Sequence, residues 1–193
     1  MPDPVIHLLA GPNGAGKSTL YETVIAPATH LEFVNADVIA AERWPEHRSE
    51  RSYDAATAAA ERRRQLIDAR KSFVTETVFS HDSKLELVRS ATAAGYLVWL
   101  HVVLVPEELA VARVRNRVAV GGHAVPENKV RGRYQRLWPL VTAAIGVADH
   151  AVLYDNSRAR PPFRVAAVFE HGLLVGVPDW PAWTPRRLRD ISR

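Results

Sequence analysis

Short, unbroken apolar runs alternate along this chain with longer stretches whose apolar residues recur at helical spacing. Strands buried on both faces read as continuous apolar runs, so the alternation predicts β-α-β units and a mainly parallel sheet covered on both sides. The first expected strand is Val5 to Ala10, followed by a glycine-rich loop and a helix from about Lys17 to Ile25. Leu31 to Asn35 is the second strand, Tyr53 to Arg70 a long helix rich in Ala and Arg, and Ser72 to Thr77 the third strand. A helix over about Lys84 to Ala94 closes at Gly95 and leads into the strongest apolar strand, Tyr96 to Val105. Pro106-Glu107-Glu108 opens the next helix, with Pro in the first turn and acids at the positive end of the dipole. That helix runs to the Gly121-Gly122 break, and another starts at Pro126 and continues towards Ala144. His150 to Asp155 is a fifth strand, and two apolar runs within Val165 to Val177, parted by His171-Gly172, predict a C-terminal hairpin.

No internal repeat or low-complexity linker divides this order, so residues 1–193 are expected to form one domain. Its composition, 47% hydrophobic and 24% charged, suits a globular core of that size. With no cysteine, the chain has neither disulfides nor thiolate metal sites. The apolar runs are too short to span a membrane and the amino terminus opens on Pro and Asp, so a cytoplasmic location is expected. A net charge of +4 points at first to nucleic acid, but 21 of the 25 basic residues are Arg scattered along the chain. Scatter of that kind fits solvated helix faces, so the charge assigns no partner by itself. In the tail, Trp180 and Trp183 are expected to pack, leaving Arg186, Arg187, Arg189 and Arg193 solvated.

The segment Gly11-Pro12-Asn13-Gly14-Ala15-Gly16-Lys17-Ser18 fits G-x-x-x-x-G-K-[ST] and lies between a predicted strand and a predicted helix. Glycines there let backbone N–H groups turn towards phosphate oxygens, and the helix adds its positive end. ATP is the expected ligand, with Lys17 bridging the β- and γ-phosphates, Ser18 supplying a hydroxyl to Mg2+, and Thr19 completing the loop. The same string, GPNGAGKST, occurs in transporter-type ATPases, but the chain lacks their LSGGQ-like signature and an apolar strand ending in Asp-Glu. What remains is a P-loop NTPase three-layer α/β sandwich of the kinase-like type, with a helical lid over about 106–145. In such a fold the acceptor and ATP meet above the carboxyl ends of the strands.

Asp37 and Glu76 lie at the ends of the second and third predicted strands, which places two carboxylates beside the phosphate loop. Phosphoryl transfer needs a carboxylate to orient the attacking hydroxyl and take its proton, and Asp37 is the choice for that base. The alternatives are a helix N-cap for Asp37 and a structural hydrogen bond for Glu76. Arg113 and Arg117 share one helix face, and Lys129, Arg133 and Arg136 do so on the next helix. Such cations either close over a triphosphate or form a solvated face.

Together, GPNGAGKST, FVNAD, VTETVFS, RVRNRV followed by GGHAVP and RYQR, and LYDNS resemble the zeta-toxin family in its short, single-domain branch, over Val5 to about Ser157. The resemblance implies a P-loop kinase that uses ATP and Mg2+ to phosphorylate a hydroxyl of UDP-N-acetylglucosamine and is held inactive by an antitoxin. It implies Lys17 as phosphate clamp and Asp37 as base, Glu76 and Thr77 in the acceptor pocket, and Arg117 with Arg133 on the γ-phosphate. The sequence therefore reads as an ATP-dependent kinase of a small hydroxyl acceptor, a nucleotide sugar in the leading case. A polynucleotide or nucleoside kinase, or a nucleotide-gated nucleic-acid-binding module, is the alternative reading.

Overall fold

The computed structural model describes residues 2–119 and 125–191. Strands β1 (Val5–Ala10), β2 (Glu32–Val34), β3 (Phe73–Thr77), β4 (Leu97–Leu104), β5 (His150–Asp155), β6 (Arg164–Glu170) and β7 (Leu173–Val175) join in one sheet of order β2-β3-β1-β4-β5-β6-β7. The first five are parallel, with β1 at the centre pairing Leu9 with Glu76 on one side and with His101 on the other. The predicted hairpin forms and adds two antiparallel strands beyond β5. Its turn needs positive φ at both central residues, which His171 (48°) and Gly172 (78°) adopt.

Helices cover both faces. On one side Leu20 and Ile25 of α1 (17–29) and Ala110 of α5 (Glu107–Ala119) pack on Leu9, Val74 and Val103. On the other, α3 (Ser52–Asp68), α4 (Asp82–Ala93) and α6 (Glu127–Ile145) bury Ala59, Leu66, Val88, Leu137 and Val141 against Ile6, Leu8, Phe73 and Leu100. The short helix α2 (Ala36–Arg43) follows β2, and α7 (Arg186–Asp190) ends the described chain with Leu188 in the core. Trp180 and Trp183 pack against that same core, as the tail reading expected. The arrangement is a three-layer α/β sandwich.

Beyond shifts of a residue or so at strand ends, two departures from the sequence expectation stand out. The first helix continues past Ile25 to Thr29, through a π-helical turn at Tyr21–Ile25 that precedes Pro27. A widened turn relieves the helix where proline has no N–H to donate and its ring would strike the carbonyl four residues back. The C-terminal half of α6 is core rather than lid, since Leu137, Val141 and Ile145 are fully buried. The Gly121-Gly122 break lies outside the described residues, as does Arg193.

Candidate active site

The loop between β1 and α1 turns on glycines whose neighbours leave no space for a side chain. Gly16 caps α1 with φ of 95°, and a Cβ there would stand 2.6 Å from Asn156 Nδ2. Gly14, at φ of 76°, is approached by α5, with the Ala110 carbonyl 2.7 Å from where its Cβ would lie. Just past β5, Asn156 donates from Nδ2 to the Ala15 carbonyl at 2.8 Å, clamping the loop from a third direction. Gly11 and Pro12 are buried beneath the loop, Asn13 stands at its rim, and Thr19 is exposed in the first turn of α1.

Lys17 is only 6% exposed. Its Nζ donates to the Pro12 carbonyl at 3.0 Å and lies 3.7 Å from Glu76 Oε1. Burial lowers its pKa, and the carboxylates of Glu76 and Asp37 oppose that fall by favouring the charged form. A lysine held this way is short of solvation, and an anion beside it would favour its charged form.

The two carboxylates occupy different stations. Glu76, on β3, is gripped from the loop side: Oε2 accepts from Ser18 Oγ at 2.9 Å and from Asn35 Nδ2 at 3.1 Å. Asp37 is exposed in the first turn of α2 and faces the open cleft. It is not the cap of that helix, because Asn35 Oδ1 takes the N–H groups of Asp37 at 2.7 Å and Val38 at 3.4 Å. Asn35 thus caps α2 with one end of its amide and orients Glu76 with the other, a double role that the sequence reading missed.

The cleft above the strand ends has a volume of about 630 Å³ and brings together Asn13, Asp37, Glu76, Thr77, Arg117 and Arg133. Thr77 lines it too, and its Oγ1 accepts from the Phe79 N–H at 3.1 Å. Arg133 reaches the phosphate loop, with NH1 3.4 Å from Asn13 Oδ1. Lys129 joins this wall, whereas Arg113 packs beside Gly14 and neither it nor Arg136 lines the cleft. The helices carrying these cations are tied by Arg131, which meets Glu107, Glu108 and Glu127. Arg63, Lys84 and Tyr53 also line the cleft and had not been singled out from the sequence.

For a metal, the fit is to a hard cation. Ser18 and Glu76 offer a hydroxyl and a carboxylate beside the loop, and no described group of three His, Cys, Asp or Glu forms a cage. Magnesium suits such a place, since it keeps several waters and takes one or two protein oxygens together with phosphate.

A strand–glycine loop–helix cradle at the carboxyl edge of a 2-3-1-4-5 parallel sheet defines a P-loop protein of the kinase-like type. Residues 6–140 match a family of AAA domains, AAA_33, and the chain belongs to that family. An uncharacterized protein of Haemophilus influenzae is 30% identical over 125 residues, covering 64% of this chain and 88% of its own. Among solved structures, the AvrRxo1-ORF1:-ORF2 complex with ATP superposes with a TM-score of 0.73 at 16% identity, over 98% of this chain and 64% of that one. The PezAT toxin-antitoxin system of Streptococcus pneumoniae gives 0.58 at 15% identity, over 86% and 72%. A gluconokinase from Sinorhizobium meliloti gives 0.53 at 19% identity, over 82% and 86%. At these identities the likeness is one of fold.

Proposed function

We propose that the protein is an ATP-dependent kinase that transfers the γ-phosphate to a hydroxyl of a small acceptor. The observation that carries this reading is the placing of Asp37. It faces the same cleft as the phosphate loop and the Arg117–Arg133 pair, yet stands apart from Glu76, which Ser18, Asn35 and Lys17 hold on the loop side. A carboxylate on the open side stands where the proton of an attacking hydroxyl can be received, which is the group that phosphoryl transfer to an acceptor requires beyond those that hold ATP.

In the reaction, the loop's backbone N–H groups and Lys17 hold the β- and γ-phosphates. Ser18 and Glu76 would hold magnesium beside the loop, where the cation would supply charge to offset that of the phosphates. The acceptor hydroxyl gives its proton to Asp37 as its oxygen bonds to the γ-phosphorus, and the bond from that phosphorus to the bridging oxygen breaks, leaving ADP. Arg117 and Arg133 neutralise the charge that spreads over the equatorial oxygens. Glu76 and Thr77 line the floor on which the acceptor rests. UDP-N-acetylglucosamine, the acceptor implied by the zeta-toxin resemblance, is the leading candidate, and an antitoxin-like protein is the partner that the PezAT likeness supports.

The test is ATP consumption against a panel of acceptors, UDP-N-acetylglucosamine first, with product mass read by spectrometry. A product heavier by one phosphoryl group is expected with one member of the panel. ATP hydrolysis that no acceptor accelerates, with no phosphorylated product, would count against the kinase reading.

A further inference from the structure

Away from the phosphate loop, the cleft has a cationic wall that the transfer step does not use. It is built by Arg63 on α3 and Lys84 in the first turn of α4. On α3 the inward stripe reads Ala55, Ala59, Arg63, Leu66, so an arginine occupies a position where the pattern calls for an apolar residue. Arg63 is only 8% exposed, and its one hydrogen bond among the described residues is a long one, from NH1 to Thr75 Oγ1 at 3.5 Å. Its remaining N–H groups therefore have only the cleft to face.

Neighbouring arginines show what a satisfied partner looks like. Arg62 grips Glu32 with two bonds of 2.7 Å, and Arg51 meets Asp54 at 3.0 Å. Among the described residues, neither Arg63 nor Lys84 has a carboxylate within 4.0 Å. Burial lowers the pKa of both, and the Arg63 charge adds to the effect at Lys84, so the two lie near enough to repel. Among the described residues, Arg63, Lys84, Lys129 and Arg133 line the cleft with two carboxylates, Asp37 and Glu76, and Glu76 is already held by Lys17, Ser18 and Asn35. Two neighbouring cations that share burial, as Arg63 and Lys84 do, are costly, and a fold keeps them where an anion completes the set.

We propose that Arg63 and Lys84 form an oxyanion subsite that receives a phosphate or diphosphate group carried by the acceptor. This rests on the kinase reading for the word acceptor, and adds to it the two residues that hold the acceptor's own phosphate. The arginine fork takes two phosphate oxygens side by side, and the lysine adds a compact charge. Anchoring the acceptor by its own phosphate, on the wall formed by α3 and α4, leaves its hydroxyl free to turn towards Asp37. Neutral sugars and polyols are disfavoured by the same geometry, since they would leave both cations unpaired.

The experiment uses magnesium pyrophosphate as the probe, titrated by calorimetry into protein already saturated with a non-hydrolysable ATP analogue, so that the phosphate loop is filled. Binding of one pyrophosphate is expected, weakened about tenfold or more in Lys84→Met and in Arg63→Gln, with analogue affinity kept within about twofold. Lys84 is partly exposed at a helix start, so its variant keeps the test open if Arg63→Gln fails to fold. No pyrophosphate binding, or binding that Lys84→Met leaves unchanged, overturns the subsite. Should the analogue itself not bind while pyrophosphate binding still depends on Lys84, the kinase reading falls and the anion subsite stands.

Discussion

Replacing His101 by Gln and unfolding both proteins in denaturant between pH 7.5 and 5 isolates one buried imidazole of the central strand. His101 is 4% exposed on β4, its Nε2 3.1 Å from His7 Nδ1 and its Nδ1 3.4 Å from the Tyr154 hydroxyl. Burial, and then the neighbouring His7, push its pKa down to about 3. In the unfolded chain the imidazole titrates near 6.5. Between these values the unfolded chain binds a proton that the folded chain refuses, so stability falls as pH falls. The contribution is complete above 6.5 and is lost progressively on the way to about 3. Each pH unit below 6.5 removes about 1.4 kcal/mol, which comes to about 2 kcal/mol at pH 5. For a chain of this length that lowers Tm by about 4–8 °C. Gln keeps hydrogen-bonding groups near His7 and Tyr154 but does not titrate, so His101→Gln should lose about 2 kcal/mol less than the parent over this range. Parallel pH profiles for the two proteins would refute the argument, because they would mean that the folded state accommodates a charged His101.

Three further outcomes bear on the site. Lys17→Ala should abolish ATP turnover while leaving the circular dichroism spectrum and a cooperative melt in place, since no neutral side chain replaces a buried point charge on phosphate. Asp37→Asn should bind ATP within a few-fold of the parent by calorimetry and lose about a hundredfold or more in acceptor phosphorylation; normal phosphorylation would move the base elsewhere, with Glu76 the next candidate. Arg117→Ala and Arg133→Ala should each lower kcat more than they raise the KM for ATP in steady-state assays, because a group acting in the transition state accelerates only through differential binding.

The sheet was readable because its parallel strands are buried on both faces, which leaves continuous apolar runs such as VIHLLA and LVWLHVVL. The phosphate loop was readable because a fixed string fell between a strand and a helix, and the structure puts Asp37, Glu76, Thr77, Arg117 and Arg133 around one cleft with it. Less legible were features that depend on contacts distant in sequence. Asn35 acts through Glu76, forty-one residues away, and Asn156 through Ala15, so the blocks FVNAD and LYDNS that contain them do not show what either does. Arg63 did leave a trace, as the one charged member of the Ala55, Ala59, Leu66 stripe, but in a helix dense with arginines it read as one more solvated cation. Lys84 gave no such signal, since a lysine in the first turn of a helix usually meets water.

The clamp on the phosphate loop has a thermodynamic consequence. Val103, Ala110 and Asn156 press on the loop from β4, α5 and the end of β5, so its shape is set by the body of the domain rather than by the ligand. A cradle made in advance has little conformational entropy left to lose on binding. The outer wall is built differently: Asp37, Arg63 and Lys84 come from α2, α3 and α4, outside the glycine loop. The glycine loop and this wall are thus separate along the chain. The segment 36–71 alone carries the Asp37 and Arg63 positions of that wall and includes none of the glycine loop.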